Sequence, residues 1–388
     1  MMSKLSELGH WVWMEAQLGA PPFVGRAVVP RLHEGKEIGR LLVKPSMTLY
    51  QWQGQNEGGS LTVTYTGLGY AEPMLKSLLF TQAPAEKEIG RVPVWQPEEL
   101  VNAPAGDITI VESSKHLIRK LPQQNAFVLP FRVQFVVDIR GEWEEVEGHF
   151  RPNVRRHIRK ARGYDCYQYE ISHREQDLKM FYHTMYLPTV QERHGDLAAI
   201  LPEREADQLL RYGWLFLLKR DGVIVCGSLG YAHQGVVEFK EMGVLNGDLQ
   251  LFKQGVVEAM NYLRIRWAHQ EGYAAISFGD SWPYLSGIFQ AKRKWGSVVS
   301  IHPYEHKQIW IRIQRVTPAV AEFLEHNPCV IINEKERLQG LIVIDDLKKV
   351  APETEATWHK LYATPGLSGL VVRSIADWVE KPKFLSDL

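Results

Sequence analysis

The sequence predicts a mixed α/β protein, on three observations: three strand-like segments joined by two-residue turns, a long amphipathic helix after them, and a short apolar strand after the helix. WLFLLK, VIVCGSLGYA and VVEFKEMGV are separated by Asp221-Gly222 and Gln234-Gly235, so they read as an antiparallel meander. FKQGVVEAMNYLRIRWAHQEG places Val256, Met260, Leu263 and Trp267 on one helical face, and Gly272 is its natural stop. YAAISFG then reads as a buried strand that a helical crossover lets run parallel to a strand of the meander.

Upstream, residues 1–122 are rich in glycine, proline and alternating stretches such as SLTVTYTG and DITIVESS, the pattern of a β-rich domain. PQQNAFVLP, bracketed by Pro122 and Pro130, marks a boundary, and the strand-like FRVQFVVDI follows. NVRRHIRKARG sets Val154, Ile158 and Ala161 on one face and Arg155, Arg159 and Arg162 on the next, a basic helix ending at Gly163. REQDLKMFYHTMYLP is a second helix, stopped by Pro188. Downstream, CVIINEKERLQGLIVIDDL reads as a hairpin, and TEATWHKLY and VRSIADWVE as helices. The expected division is 1–122, a β-rich domain; 123–310, the main α/β domain; and 311–388, a small α+β appendage.

Lysine plus arginine and aspartate plus glutamate both number 45, so no global charge steers the chain toward nucleic acid or a membrane surface. Cys166, Cys226 and Cys329 form no CxxC pair and read as reduced core thiols. Charges interrupt the first residues too early for a signal peptide, and no run of about 18 apolar residues spans a bilayer, so the cytoplasm is the expected address. HExxH, GxSxG and Walker A patterns are absent, which disfavours metal, serine-hydrolase and P-loop chemistry; no metal is expected.

The segment Val136–Ile171 resembles the entry into the acyltransferase domain of FemAB-like proteins, in which a strand with an aspartate leads to a basic helix. Here the helix motif stands as Arg155, Arg156, Ile158, Arg159, Lys160 and Ala161. FYHTMYLPTVQERHG, the meander, the long helix and the closing KRKWG keep the same order over roughly 130–300. The resemblance implies a mixed-sheet GNAT fold, that of the GCN5-related N-acetyltransferases, with residues 1–122 as a divergent first half. It implies an acyltransferase that uses acetyl-CoA, another acyl-CoA or an aminoacyl-tRNA as donor. The acceptor would be an amine on a small molecule or on a cell-wall or glycan precursor. The superfamily's phosphate loop is replaced by GVLNGDLQLFKQG, where main-chain amides of Asn246, Gly247 and Leu249 are the candidate donor-binding groups.

Transfer to an amine needs a proton acceptor and groups that hold the substrates. By the strand period of two, Glu241 shares a face with Val237 and Phe239, which would place its carboxyl in an apolar cleft and raise its pKa. Asp280 lies at the carboxyl end of the last strand and is a second candidate base; Tyr284, four residues on, is a candidate general acid. Arg193 and His194 lie past a helix stop, and Lys292 and Lys294 alternate in strand-like fashion in KRKWG. With Arg155 and Arg159 these are the candidate substrate-binding residues. The bland alternatives are an ion-paired Glu241, a turn-capping Asp280, a packed Tyr284 and a solvated basic helix. The second reading is a non-catalytic binding module that uses the basic helix and the cations of KRKWG to hold a polyanionic glycan or RNA.

Overall fold

The structure, a computed structural model, describes residues 46–93, 99, 106–160, 166–195, 200–285, 287–302, 305–346, 351–376 and 378. In chain order the strands are β1 (Ser46–Asn56), β2 (Gly59–Thr66), β3 (Ala85–Pro93), β4 (Ile108–Ser114), β5 (Ala126–Pro130) and β6 (Val133–Asp138). They continue as β7 (Tyr167–Ser172), β8 (Gly213–Arg220), β9 (Val223–His233), β10 (Val236–Val244), β11 (Ala275–Ser281) and β12 (Val298–Ser300). The last four are β13 (Lys307–Ile313), β14 (Cys329–Ile332), β15 (Leu338–Ile344) and β16 (Leu370–Ser374).

Contacts divide the described residues into two units. The first holds 135–279 and 292–298, and the second holds those within 30–134, 280–291 and 299–388. The central strands of a seven-stranded sheet, ordered β12-β6-β11-β10-β9-β8-β7, build the first unit. Its meander β8-β9-β10 is antiparallel, and β10 and β11 run parallel. Both expected turns form: Asp221-Gly222 and Gln234-Gly235 all have positive φ, as a two-residue hairpin turn with right-handed strand twist requires.

Strand alternation sorts the core of this unit into two faces. Trp214, Phe216 and Leu218 of β8 pack with Val154 and Ile158 of the basic helix Pro152–Lys160 and with Val256, Met260, Leu263 and Trp267 of the helix Val256–Gln270. Leu215 and Leu217 face the other way and pack with Leu178, Phe181, Tyr182, Met185 and Leu209. Each fully buried large apolar side chain contributes about 1.5–3 kcal/mol, so the apolar faces read from the sequence carry the fold. The expected end of the basic helix at Gly163 lies outside the described residues.

The second unit carries a six-stranded sheet, β3-β1-β2-β4-β13-β5, and a three-stranded sheet, β14-β15-β16. Its division departs from the expected boundaries. β13 inserts between β4 and β5, and one core joins Trp52, Leu61 and Ile110 to Val320, Phe323, Ile331 and Leu341. β5, expected in the main domain, and β13, which straddles the expected boundary at 310, thus complete the sheet begun by residues before 122, and residues of the expected appendage share its core.

Four local expectations are corrected. Pro188 does not stop its helix. The helix Glu175–Phe181 passes through a π-helical turn, Tyr182–Tyr186, into Leu187–His194, with Pro188 in the first turn of the last segment. The Leu187 N–H bonds the Tyr182 carbonyl in that wider turn, which accommodates a residue that cannot donate. Arg373 and Ser374, expected as helix, lie on β16, where pairing with Val343 and Ile344 overrides local propensity. Lys292 and Arg293 end the helix Gly287–Arg293 rather than forming a strand. Cys166 is exposed; Cys226 and Cys329 are the buried thiols.

Candidate active site

β10 and β11 pair only where Val236, Val237 and Glu238 meet Ala275, Ile276 and Ser277; no further pairs between them form among the described residues. The sheet opens beyond Glu238. At the same point β10 carries a bulge against β9, in which Phe239 pairs Gly230 and Glu241 pairs Leu229, leaving Lys240 as the extra residue. An extra residue reverses the side-chain parity of everything after it. Met242 and Val244 therefore join Phe239 on the face of the helix Val256–Gln270, and Glu241 turns to the opposite face with Leu229 and Tyr186. The period-of-two reading had placed Glu241 beside Val237 and Phe239, and the bulge is what corrects it.

Burial pushes the Glu241 carboxyl up to about 7, with the Tyr186 hydroxyl and the Lys240 ammonium acting in the other direction. Tyr186 is held in turn by the main chain of Leu201, whose N–H donates to its hydroxyl at 2.7 Å. The Tyr182 hydroxyl donates to the Leu201 carbonyl at 2.8 Å. The π-turn brings both tyrosines to one residue, and Gly243 lets the turn approach β10. A Cβ at position 243 would lie 2.4 Å from the Met185 carbonyl carbon and 2.5 Å from the Tyr186 nitrogen.

The main chain of Glu241 has its own anchor. Ser228 Oγ donates to the Glu241 carbonyl at 2.8 Å and accepts from Arg264 Nη1 at 2.8 Å. Arg264 is buried, bonds Asn261 and lies 4.3 Å over the Phe239 ring. Burial lowers its pKa to about 10. Sequence reasoning missed Tyr186, Ser228 and Arg264. The available signal was an arginine in a helix stretch otherwise set by Met260, Leu263, Ile265 and Trp267.

The remaining candidates are scattered. Asp280 belongs by its contacts to the second unit, where it is exposed and acts electrostatically on Arg132, itself 3.6 Å over Trp282. Tyr284 is buried in that unit's core, pairs Cys329 across an isolated bridge, and has no hydrogen-bond partner for its hydroxyl among the described residues. Burial raises its pKa, and its surroundings are those of a packed core side chain. Arg193 is exposed, 5.2 Å over Phe252. Lys292 lies 5.6 Å over Phe135, whereas Lys294 pairs Glu258 at 2.7 Å. Arg155 is half-buried in the basic helix. The side chains of Arg159 and His194 lie outside the described residues.

The turn that carries the candidate donor-binding amides is closely built. Asn246 and Gly247 take positive φ, and Gly247 is pressed against the Pro188 main chain. The Asp248 carboxylate accepts the Gln250 N–H at 2.9 Å, and the Asp248 N–H is spent on the Leu245 carbonyl at 3.1 Å. Leu249, half-buried, follows Asp248. Among the described residues no group of His, Cys, Asp or Glu could hold a metal ion, and no helix is long and apolar enough to cross a membrane.

Residues 148–284 match the family profile described as an acetyltransferase (GNAT) domain. A search of curated proteins found no match. Among solved structures the chain is similar to FemX, with TM-score 0.37 and 14% identity over 70% of this chain and 89% of that one. It is also similar to L-PGS from Bacillus licheniformis, with TM-score 0.34 and 11% identity over 69% and 86% of the two chains. The ribosomal-protein-S18-alanine N-acetyltransferase from Escherichia coli matches a shorter stretch, with TM-score 0.21 and 17% identity over 27% and 63%.

Proposed function

We propose that this chain, whose residues 148–284 match an acetyltransferase (GNAT) domain profile, transfers an acyl or aminoacyl group to an amine, with Glu241 taking the amine's proton. The observation that carries the reading is the position of Glu241: a carboxyl with pKa about 7, on a bulge, where β10 parts from β11. A general base works best when its pKa lies near the operating pH, and desolvation at this opening supplies that match.

In the reaction the amine nitrogen attacks the carbonyl carbon of a thioester or aminoacyl ester, forming the C–N bond. The nitrogen gives its proton to Glu241, the C–S or C–O bond breaks, and the leaving thiolate or alkoxide takes a proton. Arg193 and Lys292, both of the first unit, are retained as acceptor-side candidates, and Asp280 of the second unit is a separate candidate.

Thermal melts of the whole chain with acetyl-CoA, a longer acyl-CoA, and charged and uncharged tRNA test the reading. Stabilisation by at least one donor is expected. A salt-sensitive shift with heparin and none with any donor would instead indicate a binding module that uses the basic helix.

A further inference from the structure

The second unit holds a cavity of about 490 Å³, and every residue that lines it belongs to that unit. The volume lies within the roughly 300–1,000 Å³ of small-molecule sites. Strand alternation decides which side chains face it. On β13, Ile309 packs into the core that holds Leu61 and Phe131, whereas Trp310 packs with Leu117 and Ile118 of the helix Lys115–Ile118. Gln308 shares the face of Trp310, and the two pair Pro130 and Val128 of β5, which gives the cavity its floor. Lys307 shares the face of Ile309, and its ammonium lies 4.2 Å over the Phe131 ring and 4.6 Å over Tyr70, away from the cavity. Ile118, Ile301 and Ile332 make the walls apolar. The Lys115 N–H donates to the His306 carbonyl at 2.8 Å and so ties the start of the helix to the segment before β13.

Most of the charge around the cavity is already neutralised. Arg119 pairs Glu336 of the turn between β14 and β15. Glu305 accepts the Lys307 N–H at 3.0 Å and lies 3.9 Å from its ammonium. Glu334 is exposed on the turn, and His302 stands in the wall. Lys115 differs from the other cations: half-buried in the lining, its ammonium enters no hydrogen bond or ion pair among the described residues. The neutral groups beside it are chiefly donors. Asn333 Oδ1 accepts from the N–H groups of Lys335 at 3.1 Å and Arg337 at 2.9 Å, which leaves its amide nitrogen to donate. The Gln308 side-chain amide bonds no other described residue and donates equally well. Gln123 gives Nε2 to the Leu121 carbonyl at 2.9 Å and offers a neutral oxygen only.

We propose that this cavity is a second ligand site, for a small organic monocarboxylate with an apolar body. The carboxylate accepts from the Lys115 ammonium and from the amides of Gln308 and Asn333, and the body covers Ile118, Val128, Ile301 and Ile332. One cation without a partner matches one negative charge, and a donor-rich lining matches carboxylate oxygens rather than an ammonium. The apolar walls lose their contact with water only when the ligand brings an apolar body to them. The site stands whether or not Glu241 takes a proton.

The test uses the full chain with 13C-methyl-labelled isoleucine, and follows the signals of Ile118, Ile301 and Ile332 during titration with octanoate at pH 7. Octanoate is expected to move all three to saturation. Octanol and octylamine carry the same body without the carboxylate, and are expected to bind about tenfold more weakly or worse, the scale of one lost charge-assisted hydrogen bond. Octyl phosphate, with its greater charge, is also expected to bind more weakly than octanoate. Lys115→Met keeps the stem and removes the ammonium. It is expected to weaken octanoate about tenfold and to leave octanol binding unchanged, which separates a lost charge from a lost fold. Val128→Phe fills the floor and is expected to block octanoate and octanol alike. Methyl signals that octanoate does not move, octanol or octylamine binding as tightly as octanoate, or undiminished octanoate binding by Lys115→Met or Val128→Phe would overturn the proposal. Octyl phosphate binding more tightly than octanoate would overturn the assignment of a carboxylate.

Discussion

Replacing Glu241 by glutamine removes the ionisation and keeps the shape, so its effect on stability is set by pH. The carboxyl is raised from 4.5 to about 7 by burial. The folded protein therefore binds this proton more tightly than the unfolded chain does. The associated stability is fully present below pH 4.5, declines as pH rises, and is gone above the folded midpoint near 7. At about 1.36 kcal/mol per pH unit, the difference amounts to roughly 3 kcal/mol. Glu241→Gln is thus expected to be near wild type in urea denaturation at pH 4.5. It should become more stable than wild type by about 2–3 kcal/mol at pH 8, while losing transfer activity by about 10²–10⁴-fold. A stability difference that does not change between pH 4.5 and 8 would refute the placement of a desolvated, neutral-range carboxyl at the bulge.

Two further outcomes follow from the packing. Tyr284→Phe removes a buried hydroxyl that has no partner among the described residues, and is expected to match or exceed wild-type stability by up to about 1 kcal/mol with unchanged turnover; a loss of transfer would restore its candidacy as a general acid. Gly243→Ala forces a methyl group against the main chain of Met185 and Tyr186, and is expected to lower stability by about 1–3 kcal/mol in denaturant melts; wild-type stability would refute the close approach of the π-turn to β10.

The meander, the long helix and the parallel strand were legible because Val256, Met260, Leu263 and Trp267 and the two turn dipeptides repeat at the periods their elements require. The joining of residues after 307 to the first sheet was not, because strand pairing across so long a separation leaves no local pattern. In the site, the sequence named Glu241 and its raised pKa but turned it to the wrong face. A single inserted residue such as Lys240 follows no periodic rule and reverses every side chain after it. Tyr186 was hidden for a related reason, since Pro188 reads as a helix stop when the π-turn that tolerates it is unseen. The basic helix and the alternating cations were visible as charge, yet charge alone does not say which cation pairs with a neighbour, as Lys294 does with Glu258.

The most direct measurement is donor turnover by the full chain and by Glu241→Gln, side by side, at pH 8 with acetyl-CoA, a longer acyl-CoA and aminoacyl-tRNA in the presence of a primary amine. The acyltransferase reading predicts that at least one donor stabilises both proteins and that only the wild type forms amide product at a measurable rate. Equal product formation by the two proteins would contradict it.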